Sequence, residues 1–263
     1  MQFWIWRYTL KPRRRLSALA APGAREGALL RAFEGFADIH PWPELGDEPL
    51  DEQLKHIETL PALQYARIDG EARRRGVSLF EGLTIPESHW PGADPPDGFD
   101  TVKLKSVASI PPDVRLRIDF NATLTLDEFA RIAETLPRER VDFIEDPCAD
   151  LSGLRTDLRI ARDRAHGPAD VVIHKPALST DFPTFDGEIV VTSYMDHPIG
   201  QFHAARVAAT HDVSARCGLF THVLYEPNEF IEAIRSDGAR LLPPEGTGIG
   251  FDDLLERLPW QRL

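Results

Sequence analysis

Six polar residues close short apolar runs within about seventy positions: Lys103 and Lys105 in VKLK, Asp119 and Asn121 in LRIDFN, Glu145 in VDFIED, and Lys175 in VVIHKP. Runs of this kind read as buried strands, where a charge is costly unless it is paired or used. Repeated from strand to strand, the charges read as converging on one site. Carboxylates flanked by lysines suit a divalent cation and a proton transfer. Asp119, Glu145 and a third acid would offer hard oxygen ligands, which favour Mg2+ over zinc or copper. Asp163, after the run LRIAR, is the third candidate, and Asp157 and Asp170 lie close to it in sequence. Lys103 and Lys105 are two apart and so share one face of a strand. Each disfavours protonation of the other, which moves a lysine towards the range of a working base.

For these residues to meet, the strand ends that carry them must lie on one face. Beyond Gly76 the chain offers eight short apolar runs: VSLFEGL, TVKLK, VRLRIDF, VDFIED, LRIA, DVVIHK, EIVVTSY and LFTHVLY. Helical patterns follow the third (LTLDEFARIAETL), the seventh (IGQFHAARVAATH) and the eighth (NEFIEAIRSDG). Eight strands with helical crossovers suit a parallel (β/α)8 barrel, whose strands all end on the same face. The spacings after the second, fifth and sixth runs are short for a βαβ crossover, which needs roughly 10 to 12 residues or more. Those crossovers are expected to be loops or single turns. An open α/β sheet would call for glycine-rich strand-to-helix turns, and charges and prolines stand there instead.

Before the barrel, FWIWRYTL, GALLRAF and GFADIHPWP read as a small antiparallel sheet, and residues 50–76 as helical. The tail LLPPEGTGIGFDDLLERLPWQRL is expected to run back towards that sheet. The expected fold class is therefore α/β, a (β/α)8-type barrel with reduced helices plus an α+β capping domain. Residues 1–76 with the tail 236–263 form the cap, and residues 77–235 the barrel.

The composition narrows the classes of function. With 42% hydrophobic and 27% charged residues the 263-residue chain is globular, and a formal net charge of −12 argues against nucleic-acid binding. Two cysteines without a CxxC pair speak for a reducing compartment and against a disulfide scaffold or structural zinc. The N-terminus lacks the layout of a secretory signal, and no apolar run is long enough for membrane insertion, so a cytoplasmic location is expected. The nine histidines include no HExxH. GTGIG reads as a turn, and Cys148 as a core residue.

Taken in order, these motifs resemble the enolase superfamily, and within it the o-succinylbenzoate synthases of menaquinone biosynthesis. The resemblance covers nearly the whole chain. It identifies Lys103-Leu104-Lys105 as the KxK motif, Asp119-Phe120-Asn121 as the DxN motif, Glu145 in IEDPC as the second metal ligand and Lys175 in HKP as the sixth-strand lysine. TSYMDHPIGQFHAARVAA resembles the seventh-strand turn and helix that receive a substrate carboxylate, which brings in Ser193 and Tyr194. Tyr194-Met195 departs from the usual serine run, and the segment between Glu145 and Lys175 is shorter than usual.

The resemblance implies a carbon–oxygen lyase (hydro-lyase) acting on a small-molecule carboxylate. Asp119, Glu145 and Asp163 would hold Mg2+, with Mn2+ as the alternative ion. Lys105 would be base and then acid, Lys175 a cation across the ring, and Lys103 a partner that tunes Lys105. Asn121, Arg117 and Arg14 join Ser193 and Tyr194 as candidates for substrate contact. Two readings compete with this one: an N-succinylamino acid racemase or dipeptide epimerase on the same scaffold, and a non-catalytic metal-binding relative. The sequence does not define an oligomeric state.

Overall fold

The computed structural model describes residues 2–17 and 19–263. Three antiparallel strands open the chain, β1 (Trp4–Leu10), which largely alternates buried and exposed side chains, and β2 (Arg25–Ala32) and β3 (Gly35–Ile39), which are mostly buried on both faces. The tail returns as β12 (Gln261–Arg262), which pairs with Trp4 and Ile5 and completes the sheet order β12-β1-β2-β3. A short turn α1 (Leu50–Gln53), a 3-10 stretch (Leu54–Thr59) and α2 (Pro61–Arg74) follow. Proline at the first position of α2 loses no helical hydrogen bond there. α2 packs on β3 through two glycines. A Cβ on Gly35 would stand 2.1 Å from the Ala66 carbonyl oxygen, and one on Gly70 2.0 Å from the Phe33 carbonyl oxygen.

The second sheet has six parallel strands in chain order: β4 (Thr101–Leu104), β5 (Arg115–Asp119), β6 (Val141–Glu145), β7 (Ile160–Arg162), β8 (Val171–His174) and β9 (Glu188–Val191). Single-residue bridges complete the ring. Trp90 pairs with Val102 at one edge, Thr192 with Gly218 at the other, and Ser88 with Cys217 between them.

Two of the expected strands therefore differ. VSLFEGL forms turns held by a bridge from Ser78 to Gly248, and the first barrel position falls to residues 88–90. LFTHVLY gives a 3-10 turn (Thr221–Leu224), and the eighth position falls to Cys217 and Gly218.

The crossovers are reduced as their lengths predict. α3 (Leu126–Ala133) follows β5 and opens with a reciprocal Thr125–Glu128 capping box, and α4 (Pro198–Thr210) follows β9. Among the described residues no helix follows β4, β7 or β8, nor does one follow β6. The remaining elements are α5 (Glu229–Glu232), a hairpin of β10 (Ser236–Asp237) and β11 (Arg240–Leu241), and α6 (Asp252–Glu256). Among the described residues no helix is long and apolar enough to cross a membrane.

Candidate active site

In a parallel sheet of this kind the C-terminal strand ends meet on one face. Asp119 and Glu145 are the last residues of β5 and β6 and lie opposite each other in register, while Lys105, Asp163 and Lys175 directly follow β4, β7 and β8. All five, with Lys103, line one cavity of about 390 Å³. Lys103 Nζ sits 2.7 and 2.6 Å from the Glu145 carboxylate oxygens and 3.1 Å from Asp119 Oδ2. Lys105 Nζ is 3.9 Å from Asp119 Oδ2, and Lys175 is ion-paired with Asp163. Among the described residues no three His, Cys, Asp or Glu side chains are grouped to hold a metal ion, because the carboxylates are turned onto these ammonium groups.

The two lysines of β4 are driven apart. Burial opposes the charge on Lys103, but Asp119 and Glu145 outweigh it and hold its pKa above the ordinary lysine range. Lys105 is lowered, first by burial and then by the charge of Lys103, against the pull of Asp119. Burial also raises Glu145, to about 7, with Asp119 adding to the effect and Lys103 opposing it. Asp119 is lowered, because Lys103 and Lys105 overcome the burial that would raise it.

Asn121, Ser193, Tyr194 and Arg14 also reach the cavity. The Asn121 backbone, in the left-handed region at φ 52°, donates its N–H to Asp119 Oδ1 at 2.9 Å and so fixes that carboxylate. Ser193 Oγ lies 2.5 Å from Thr221 Oγ1, and the Lys175 ammonium sits 5.5 Å from the centre of the Tyr194 ring. Arg14 donates to the Pro91 carbonyl at the rim.

Arg117 does not join them. It points into the barrel on the same strand face as Asp119 but one layer lower, only 2% exposed. There it donates to Asp142 Oδ2 at 2.8 Å and to the Arg216 carbonyl at 2.6 Å and lies over Phe143. A period of two places residues on a face and does not give their depth.

Several residues have a part that the sequence reading missed. Asp146, next to Glu145, accepts backbone N–H bonds from Asp163, Arg164 and Ala165 at 3.0, 2.7 and 3.2 Å, so it shapes the turn that carries Asp163. The acid pair in IEDP was its signal. His89, Arg164 and Thr192 also line the cavity. His89 was hidden because the first barrel position was assigned to VSLFEGL.

Residues 3–72 match the family described as "O-succinylbenzoate synthase, N-terminal domain". A protein of Bdellovibrio bacteriovorus named o-succinylbenzoate synthase is 33% identical over 320 aligned positions, which cover 97% of each chain. The chain belongs to the o-succinylbenzoate synthase family. Because that alignment is longer than 263 residues, the relative carries stretches that this member of the family lacks. The fold is that of the enolase superfamily. It is similar to a dipeptide epimerase from Cytophaga hutchinsonii complexed with Mg and dipeptide D-Ala-L-Val, with TM-score 0.77, 14% identity, and coverage of 100% of this chain and 99% of that one. It is also similar to an N-succinyl Arg/Lys racemase from Bacillus cereus ATCC 14579, with TM-score 0.75, 12% identity, and coverage of 100% and 99%.

Proposed function

We propose that this chain catalyses the metal-dependent syn dehydration of 2-succinyl-6-hydroxy-2,4-cyclohexadiene-1-carboxylate to 2-succinylbenzoate, in the cytoplasm, as a step of menaquinone biosynthesis. The observation that carries the reading is the placement of Lys105 and Lys175. β4 and β8 are four places apart in a ring of eight, so the two lysine side chains approach one cavity from opposite sides, with the three carboxylates on the strands between them.

The donor set fits Mg2+, with Mn2+ as a substitute: Asp119, Glu145 and Asp163 are hard oxygen donors on consecutive strands, and burial destabilises Glu145 as a lone anion. When bound, the ion would stabilise negative charge on the substrate carboxylate. The chain's residues do the rest. Neutral Lys105 Nζ takes the ring proton next to that carboxylate, and the electron pair passes into an enediolate. The same Nζ, now an ammonium, returns its proton to the departing hydroxyl, which leaves as water while the ring becomes aromatic. The amine is thus regenerated. Lowering of Lys105 by burial and by Lys103 favours the neutral form that starts this cycle. Lys175, ion-paired with Asp163, is the cation that stabilises the developing anion. Ser193, Tyr194, Asn121 and Arg14 would orient the substrate.

The test is turnover of the cyclohexadiene substrate by the Mg2+-loaded protein, followed by appearance of 2-succinylbenzoate. A second reading, racemisation of N-succinylamino acids, has the same two opposed lysines in its favour, since they could exchange an α-proton on both faces. N-succinylamino acids in the same assay separate the two: racemisation without dehydration overturns the proposal.

A further inference from the structure

A second cleft, of about 180 Å³, lies behind Tyr194, between β3, α2 and the start of α4. Tyr194 lines both this cleft and the active-site cavity. Three carboxylates line it, those of Asp38, Asp47 and Asp196, and no lysine or arginine does. Asp38 is satisfied: it accepts from the Tyr8 hydroxyl at 2.7 Å and the His197 N–H at 3.0 Å. Asp196 is not. It is 2% exposed, and its Oδ1 has no partner among the described residues.

Two buried histidines add bare acceptors. The single Tyr8 hydroxyl proton goes to Asp38, so His40 must donate its Nδ1–H to the phenol oxygen, at 2.8 Å, and its Nε2 keeps a lone pair. His203 donates from Nε2 to the Phe36 carbonyl at 2.9 Å, which leaves Nδ1 as the acceptor. The opposite wall is apolar, with Leu60, Pro61 and Ala62, and Leu178 stands at the mouth 51% exposed. Gly200 keeps the acidic pole open, because a Cβ there would come within 2.6 Å of Asp196 Oδ2 and 2.8 Å of Asp38 Oδ2.

We propose that this cleft binds a small alkylammonium ion, its NH3+ group donating at the Asp196 pole and its alkyl chain lying against Leu60, Pro61 and Leu178. The buried Asp196 Oδ1 without a partner, beside the bare acceptors His40 Nε2 and His203 Nδ1 and the bare Tyr65 hydroxyl, favours a hydrogen-bonding ligand, and because burial holds Asp196 up at about 7 a cationic donor is the one that would stabilise its anion. The acceptors are spread over several elements and are not grouped around one point for a metal ion, which suits the three N–H bonds of an ammonium. The apolar wall selects an organic cation.

The experiment is isothermal calorimetry on the full chain with n-butylammonium chloride at fixed ionic strength, set against 1-butanol and ammonium chloride. Saturable binding by butylammonium, at least tenfold tighter than by either control, is expected. Asp196→Asn should weaken it at least tenfold, and Gln53→Glu, which adds a charge to the cleft wall, should tighten it several-fold. Absence of saturation, equal binding of 1-butanol or equal binding of ammonium overturns the proposal. Should Asp196→Asn fail to fold, Gln53→Glu decides alone, and an unchanged affinity overturns it. The readout involves no turnover, so its failure is distinct from failure of the dehydration reading.

Discussion

At the scale of residues, the site depends on how each carboxylate is held. Asp146 reaches three consecutive backbone N–H groups, and a short polar segment such as LRIARD has few other means of fixing its turn. Asp146→Ala removes three charge-assisted bonds and leaves those donors without their partner, at a cost of about 1–3 kcal/mol. Its Mg2+ affinity, measured by calorimetry, should fall while that of Asp157→Ala stays unchanged, because Asp157 pairs with Arg138 at the exposed surface. The charges at strand ends were legible in the sequence because a charge that closes an apolar run stands out. Arg117 was misread because it carries the same signal, a cation inside a strand, and only depth in the barrel separates an internal ion pair with Asp142 from a substrate contact. The Asp38, His40, Asp196 and His203 cleft was illegible, since its members are scattered over three segments of ordinary composition.

At the scale of elements, the six central strands were legible from their Val, Ile and Leu runs. The two closing positions were not. VSLFEGL has strand composition, but Gly82 at φ 72° and the bridge to Gly248 commit it to turns, while SHW at 88–90 takes the barrel position through pairings that no local pattern announces. LFTHVLY likewise yields to a 3-10 turn that sets Thr221 against Ser193. Reduced crossovers were foreseen because spacing is a plain geometric limit. A close joint lies where α2 meets β3 and the turn before it, backbone against backbone. Gly70→Ala would force its new methyl against the Phe33 carbonyl in the turn between β2 and β3, a backbone atom and not the end of a flexible side chain. Such overpacking should cost about 1–3 kcal/mol. The urea midpoint is expected to fall accordingly, whereas Gly23→Ala, with open space around its Cβ position, should show only the smaller backbone cost of its positive φ.

At the scale of the whole molecule, one chain property follows from many buried histidines. Burial lowers His40 and His203 to about 3 and His222 to about 4, and holds His89 and His197 well below their ordinary value. Each is neutral when folded and takes a proton when unfolded below about pH 6.5. Through these histidines the unfolded state binds more protons as pH falls, so their contribution to stability is present above about pH 6.5 and lost progressively towards their folded values, opposed in part by Glu145 and Asp196, which burial raises to about 7 and which take up a proton in the folded chain over the same interval. A histidine so shifted costs about 2 kcal/mol at pH 5. Urea denaturation should show a markedly lower midpoint at pH 5 than at pH 7, with His203→Gln less sensitive than wild type. A His203→Gln variant as sensitive to this interval as wild type would mean that His203 is protonated in the folded chain.

The central claim is that one lysine, Lys105, both removes the proton and returns it. It is most directly tested by single-turnover conversion of the cyclohexadiene substrate, comparing Lys105→Ala with wild type, each first shown by calorimetry to bind Mg2+. The account predicts a loss of at least about 10³-fold in the mutant with metal binding retained, and no recovery in Lys105→Arg, whose guanidinium stays protonated. Near-normal turnover by Lys105→Ala would contradict it.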